Sequence, residues 1–360
     1  SEAQLVAAVA VSMAACPAWS RLSMQERRDL LLKLADAIEA KTDAFARLLT
    51  QEQGKPLSES TAEIAYTAAF MRYLASLELE SRLIEDNDTR RVEMRRKPLG
   101  VVGAIIPWNF PVLIVAFKMP MALLAGNTMR ITLELGGNDA AIVLPDADPK
   151  TVAPGIFGAA MMNAGQVCLA VKRVYAHSSI YEDLCAEFAK LADAAIVDDG
   201  LAQGAQIGPL QNRMQYEKVK GFLDDARAAG NIIAGGEAVD RPGYFIRPTI
   251  VRDVTDGTRI VDEEQFGPVL PVIRYDDAEE ALERANASPW GLGGSVWGKD
   301  RDTAYDIATR MDSGTVWINK HLDFGPNIPF GGAKQSGIGV EFAEEGLHEF
   351  TQVQIINEAR

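Results

Sequence analysis

Two periods of hydrophobic placement run through the chain, and they separate helices from strands. Ser23-Met24-Gln25-Glu26 has the form of a capping box, and Leu30, Leu31, Leu34 and Ile38 follow at helical spacing, so a helix is predicted from Ser23 with those four residues on its buried face. Gly54-Lys55-Pro56 punctuates the pattern, and a second helix is predicted over roughly Thr61 to Leu79. Asp86-Asn87-Asp88 marks a turn before Arg90 to Lys97, which alternates like a strand. Its Arg95-Arg96-Lys97 cluster reads as the solubilising charge of an exposed strand. Gly100 to Ile106 is an apolar run long enough for one buried strand at a sheet edge. Pro111 to Leu124, with Lys118 as its one charged residue, predicts a buried helix ended by Ala125-Gly126-Asn127.

Beyond Gly137 the elements alternate. Ala140 to Leu144 reads as strand, Thr151 to Met162 as helix, Lys172 to His177 as strand and Ile180 to Ala195 as helix. Such βαβα order signifies a largely parallel sheet with covering helices, so the fold class is α/β. Further helices are expected around Val219 and Phe222 and over Asp276 to Asn286, each followed by a strand-like run, and Glu349 to Asn357 closes the chain as a strand. The first 15 residues, Ala- and Val-rich but carrying Glu2 and no basic leader, predict a helix too short to span a bilayer.

Composition narrows the partners. A chain of 360 residues that is 48% hydrophobic and 24% charged suffices for two or three domains, and its formal charge of −14 repels nucleic acid and anionic membranes. Cys16, Cys168 and Cys185 show no paired spacing, and three histidines form no H-E-x-x-H, so neither a disulfide framework nor a catalytic metal is expected. The expected compartment is the reducing cytoplasm.

Three residue settings carry candidate chemistry. A thiol with a pKa near ~8.5 is mostly protonated at neutrality and needs an activator; around Cys168 the nearest basic residues in sequence are Lys172 and Arg173. Taken alone, a cysteine is more often one more small apolar side chain. Glu134 lies among Ile131, Leu133 and Leu135, where burial would raise its pKa and suit it as a general base, although a surface carboxylate at a strand end fits the local sequence equally. Asn109, in Pro107-Trp108-Asn109-Phe110-Pro111, offers an amide donor to an oxyanion or a simple turn.

Together these runs, Thr132-Leu133-Glu134-Leu135-Gly136-Gly137 and Asn163-Ala164-Gly165-Gln166-Val167-Cys168 among them, resemble the aldehyde dehydrogenase superfamily from about Ala7 to the C-terminus. Glu264-Gln265-Phe266-Gly267-Pro268 and Pro329-Phe330-Gly331-Gly332 extend the match. The resemblance implies a Rossmann-type cofactor domain, incomplete here, in residues 1–134, with a strand element at 82–98 at the subunit contact. It implies an α/β catalytic domain at 135–339, and a C-terminal return and oligomerisation segment at 340–360 in a homodimer or homotetramer. It implies oxidation of a small-molecule aldehyde with NAD or NADP. Cys168 attacks the carbonyl, hydride leaves the thiohemiacetal for the nicotinamide, Glu134 serves as base for thiol and water, and Asn109 with the Cys168 N–H forms the oxyanion hole.

Ile106, Pro107, Trp108, Leu135, Glu264 and Phe266 match the cofactor cleft, although Glu264 alone would read equally as part of an acidic turn. Phe110, Phe117, Val167, Leu169, Phe324 and Phe330 match substrate walls, all apolar, which suits a neutral aliphatic or aromatic aldehyde. The match is interrupted where Ala125-Gly126-Asn127-Thr128 runs directly into Arg130-Ile131-Thr132-Leu133-Glu134. Roughly 75 residues are missing there, about two βα units, with the loops that meet the pyrophosphate and the ribose 2′ position. That gap keeps two rivals open: a cysteine-dependent esterase or hydrolase with His177 or His321 as base, and a non-catalytic oligomer subunit.

Overall fold

The computed structural model describes residues 2–128, 133–134 and 136–360, with side chains from residue 6 onward and those of 133 and 134 excepted. Four helices come first: α1 (Glu2–Arg21), α2 (Met24–Glu39), α3 (Thr42–Gln53) and α4 (Leu57–Ala75). The capping box at Ser23 is formed, the Ser23 N–H donating to the Glu26 carboxylate at 2.7 Å and the Glu26 N–H to Ser23 Oγ at 3.2 Å. The buried face of α2 is only partly the expected one, with Leu31 buried and Ile38 half-buried. It carries Arg27, Leu31 and Ala35, while Leu30 and Leu34 are 45% and 38% exposed. Arg27 turns the helix, because its guanidinium donates to the Leu124 and Leu22 carbonyls, and a buried cation must keep such partners.

The hairpin β1 (Arg82–Asp86) and β2 (Arg90–Pro98) leads to Gly100–Ile106, where the expected strand does not form. This stretch runs without ladder partners among the described residues, and Ile105 is 62% exposed. A strand needs a neighbour for its amides and carbonyls, and no described strand pairs with this stretch. Helix α5 (Pro111–Leu124) occupies its predicted bounds.

The remaining elements are β3 (Leu133–Glu134), β4 (Asp139–Val143), α6 (Pro149–Met161), β5 (Val171–His177), α7 (Tyr181–Ala194), α8 (Arg213–Ala229), β6 (Asn231–Ala234), β7 (Thr249–Arg252), α9 (Arg259–Asp262), β8 (Val269–Tyr275), α10 (Ala278–Asn286), β9 (Trp290–Gly291), β10 (Gly293–Trp297), α11 (Arg301–Arg310), β11 (Thr315–Ile318), β12 (Ala333–Lys334), β13 (Gly337–Ile338), α12 (Ala343–Glu349) and β14 (Thr351–Ala359). Seven strands make one sheet in the order β11-β10-β4-β5-β8-β7-β6, parallel except for β6 against β7. Strand β14 joins β2 and β1 in a separate antiparallel sheet.

Among the described residues two large hydrophobic clusters result, beside a small third one of Ala46, Leu49 and Ile64. One fills the large sheet and its helices around Ile142, Tyr175, Phe222 and Ile250. The other joins α2, α4 and α5 to Val167, Leu169, Trp317 and Phe342. The segment carrying Cys168 thus belongs to the seam between the N-terminal helices and the large sheet.

Candidate active site

Helix α6 ends at Met161, and the chain then turns through left-handed backbone at Asn163 (φ 50°), Ala164 (φ 54°) and Gly165 (φ 73°). Gly165 is required there, since a Cβ would stand 2.1 Å from the Gly267 carbonyl oxygen. The strained turn is held by its neighbours. Gln53 Nε2 donates to Asn163 Oδ1 at 2.9 Å, and Gln166 Nε2 to the Asn163 carbonyl at 2.9 Å. Beyond the turn, the buried Lys172 ammonium donates to the Val167 carbonyl, and His321 Nε2 bonds the Leu169 carbonyl at 2.7 Å. The carbonyls on both sides of the half-buried Cys168 are therefore fixed. Of the two basic residues near it in sequence, Lys172 reaches this loop, whereas Arg173 is spent on the Asn138 and Ala285 carbonyls and the Tyr175 hydroxyl.

Asn109 is buried against the same loop. Its Nδ2 donates to the Gln166 carbonyl at 3.1 Å, and its own carbonyl accepts from Asn163 Nδ2 at 3.1 Å and Lys55 Nζ at 2.8 Å. Nucleophile candidate and amide donor are thus joined through Gln166 and Asn163.

On the cofactor side, Trp108 and Phe266 meet edge to face with centroids 5.5 Å apart, and Ile106 and Pro107 lie half-buried just before them. The Glu264 carboxylate accepts the Gly137 N–H at 3.2 Å and lies 3.9 Å from Lys172 Nζ, with 19% of its side chain exposed. Burial raises its pKa, and Lys172 opposes that rise. A ribose hydroxyl could donate to this carboxylate, so these residues fit the nicotinamide-ribose end of a dinucleotide. Glu134 lies in β3, its backbone paired antiparallel with Gly337 of β13. Its side chain, and Leu135 altogether, lie outside the described residues.

All six expected substrate walls, Phe110, Phe117, Val167, Leu169, Phe324 and Phe330, line one cavity of about 380 Å³ that also contains Cys168. Residues not foreseen from sequence complete it, among them Tyr66, Ile114, Met162, Leu322 and Phe342. Charges at its wall are mostly paired: Lys118 with Glu341, Glu63 with the wholly buried Lys55, and Asp323 with Lys320. Glu59 accepts the Asn163 N–H at 3.0 Å, and burial pushes its carboxyl up to about 7, against the pull of that hydrogen bond and of Lys55. The lone charge within apolar α5 was a signal for Lys118. Nothing in Gly54-Lys55-Pro56 or in the helical spacing of α4 singled out Lys55, Glu59 or Glu63.

The alternative bases sit elsewhere. The His321 side chain is fully buried, its Nδ1 at 3.0 Å from Ser295 Oγ and its Nε2 on the Leu169 carbonyl. His177 ends β5, bonded to Ser179 and edge-on to Tyr275. Neither is among the residues that line the cavity with Cys168. Among the described residues no group of His, Cys, Asp and Glu is arranged to hold a metal, and no single helix is long and apolar enough to cross a membrane.

Comparison with known proteins returns one family. The aldehyde dehydrogenase family profile matches residues 1–131 and 128–356, so its two matched parts meet at the interruption. An aldehyde dehydrogenase of Fusarium, LUC3, is 34% identical over 425 positions, covering 97% of this chain and 89% of the relative. That span holds 97% of the 360-residue chain, about 349 residues, so about 76 of its positions (425 less 349) are left unfilled by this chain. The phenylacetaldehyde dehydrogenase of Pseudomonas fluorescens is 33% identical, with 93% of this chain and 84% of that one covered. The NAD+ complex of the Bacillus cereus aldehyde dehydrogenase superposes with a TM-score of 0.91 at 31% identity, covering 95% of this chain and 85% of that one.

Proposed function

We propose how this chain, which belongs to the aldehyde dehydrogenase family and oxidises an aldehyde with NAD or NADP, carries out that reaction: Cys168 is the nucleophile, Asn109 and the Cys168 N–H receive the oxyanion, and Glu134 is the general base. The observation that carries this reading is the bonded pair of loops, which joins the buried Asn109 amide to the Gln166 carbonyl two residues before Cys168, itself in the wall of a largely apolar cavity. Cys168 Sγ adds to the aldehyde carbon, and the carbonyl oxygen, now an alkoxide, is met by a donor that needs no reorganisation. Glu264 would hold the ribose and Trp108 and Phe266 would wall the nicotinamide of NAD or NADP, which when bound would supply the hydride acceptor. Glu134 takes the proton of the thiol and then of the water that cleaves the thioester.

The cavity's aromatic and aliphatic walls select a neutral aldehyde, aliphatic or aromatic, over a charged one. Phenylacetaldehyde, from the printed name of the Pseudomonas relative, is a suitable first substrate. With it, Asn109→Ala is expected to lower kcat by ~10²–10³ while iodoacetamide still labels Cys168 at the wild-type rate. An undiminished kcat would remove Asn109 from the mechanism.

Residues 1–134 form the cofactor-domain remnant in this reading and 135–339 the catalytic domain. The unfilled positions meet the remnant where a dinucleotide's adenosine half would be held. NAD+ and nicotinamide mononucleotide are therefore expected to bind within about threefold of each other, whereas a built adenosine pocket would separate them by on the order of 100-fold. Titration calorimetry measures both constants, and a hundredfold preference for the dinucleotide would mean that other residues of this chain hold adenosine.

The sheet of β1, β2 and β14, formed by 82–98 and the 340–360 segment, exposes Leu83, Ile84, Val353 and Ile355 and is assigned to the subunit contact. Light scattering should give the mass of two or four 39.0 kDa chains; a single-chain mass sinks that assignment.

A further inference from the structure

We propose that Lys55 and Glu63 are positioning residues whose buried ion pair fixes the Asn109 loop against the Cys168 loop. The proposal rests on the oxyanion role given to Asn109 above. Both side chains are wholly buried, with Lys55 Nζ 2.6 Å from Glu63 Oε2. A buried ion pair commonly contributes no more stability than apolar residues of the same size, so its presence calls for a geometric reason.

That reason lies in where the remaining valences go. The ammonium has three protons to place. One goes to Glu63, one to the Asn109 carbonyl at 2.8 Å, and the cation stands 3.7 Å from the centroid of the Phe110 ring. The other carboxylate oxygen of Glu63 accepts the Val112 and Leu113 N–H groups at 3.0 and 3.2 Å. These amides belong to the first turn of α5, which has no intrahelical acceptors for them and favours a negative charge. One ion pair thus grips the carbonyl of 109, the ring of 110 and the amides of 112 and 113.

The grip is anchored on both sides. Lys55 follows Gly54, whose carbonyl packs so closely on Gly208 that a Cβ at 208 would stand 2.1 Å from it. Gln53 holds the Lys55 N–H at 2.9 Å through Oε1 and Asn163 through Nε2. Asn163 in turn donates to the Asn109 carbonyl, and the Asn109 amide donates to Gln166, two residues before Cys168. Releasing the ion pair leaves the peptide that orients the oxyanion donor without its main restraint, and a shift of about 1 Å in such a group can cost ~10²-fold in rate.

The test is the double variant Lys55→Met/Glu63→Leu, which removes both charges together and, with them, the acceptor of the Val112 and Leu113 amides. Its rate of acylation by p-nitrophenyl acetate, a reaction that forms an oxyanion but needs no nicotinamide, is expected to fall about 10- to 100-fold. Iodoacetamide labelling of Cys168, which forms no oxyanion, should stay within about twofold. In the Asn109→Ala background the same two substitutions should cost less than about threefold, because the donor they position is gone. Equal costs in both backgrounds, or unchanged acylation, overturn the proposal. If Asn109→Ala itself leaves acylation intact, the oxyanion reading falls and takes this one with it. Should the double variant not fold, Glu63→Gln, which keeps an acceptor for the α5 amides, gives the same comparison, with a several-fold cost expected only when Asn109 is present.

Discussion

Cys168→Ala is expected to abolish aldehyde oxidation, with a fall in kcat on the order of 10⁴-fold or more and no change in thermal midpoint beyond about 2 °C. The magnitude follows from the loss of the bond-forming atom, for which no neighbour substitutes. Cys185 is buried in the large core, and burial pushes its thiol up to about 12; Cys16 lies in α1, far along the chain from either loop. The fold should tolerate the change, because Lys172, His321 and Gln166 hold the backbone of the turn. Steady-state assay with phenylacetaldehyde and NAD+, beside thermal melting, decides it. Retained turnover in a folded Cys168→Ala protein would refute the covalent mechanism outright, and equal alkylation of all three cysteines in the wild type would favour a non-catalytic subunit.

What could be read in advance was chemistry confined to short runs. The Cys168, Asn109 and Glu264 motifs each span a few residues, and the six wall residues matched to the family line one cavity. Helix α5 was bounded by a proline at its start and a glycine past its end, local signals that tertiary structure did not need to override. The failures have the opposite character. Leu30 and Leu34 share a helical face by spacing, yet Arg27 reaches 97 positions along the chain to Leu124 and turns that face outward. Gly100–Ile106 has a strand's composition but no partner strand among the described residues. Lys55 sits in what reads as a helix breaker, and its partner Asn109 is 54 positions away. Pairings at such separations leave no periodic trace in a single sequence.

Glu134→Gln is expected to lower steady-state turnover by ~10²–10⁴ and to do so at one step in particular. The amide is nearly isosteric but cannot accept a proton, so a thioester formed on Cys168 should outlive the wild-type species. After mixing with p-nitrophenyl acetate, intact mass analysis should show an acetylated protein that persists in the variant and is absent from the wild type within the same interval. The backbone that presents Glu134 is fixed by its pairing with Gly337, so the exchange should not move the strand. If the adduct does not accumulate while Cys168 alkylation slows in parallel, Glu134 serves the thiol rather than the water. If neither changes, the base lies elsewhere, and Glu59 is the first place to look: its carboxyl reaches the same cavity, and burial sets it to about 7, where a base is half ionised at neutral pH. Glu59→Gln would then take over the loss expected of Glu134→Gln, and the pH profile of turnover would lose its limb near neutrality.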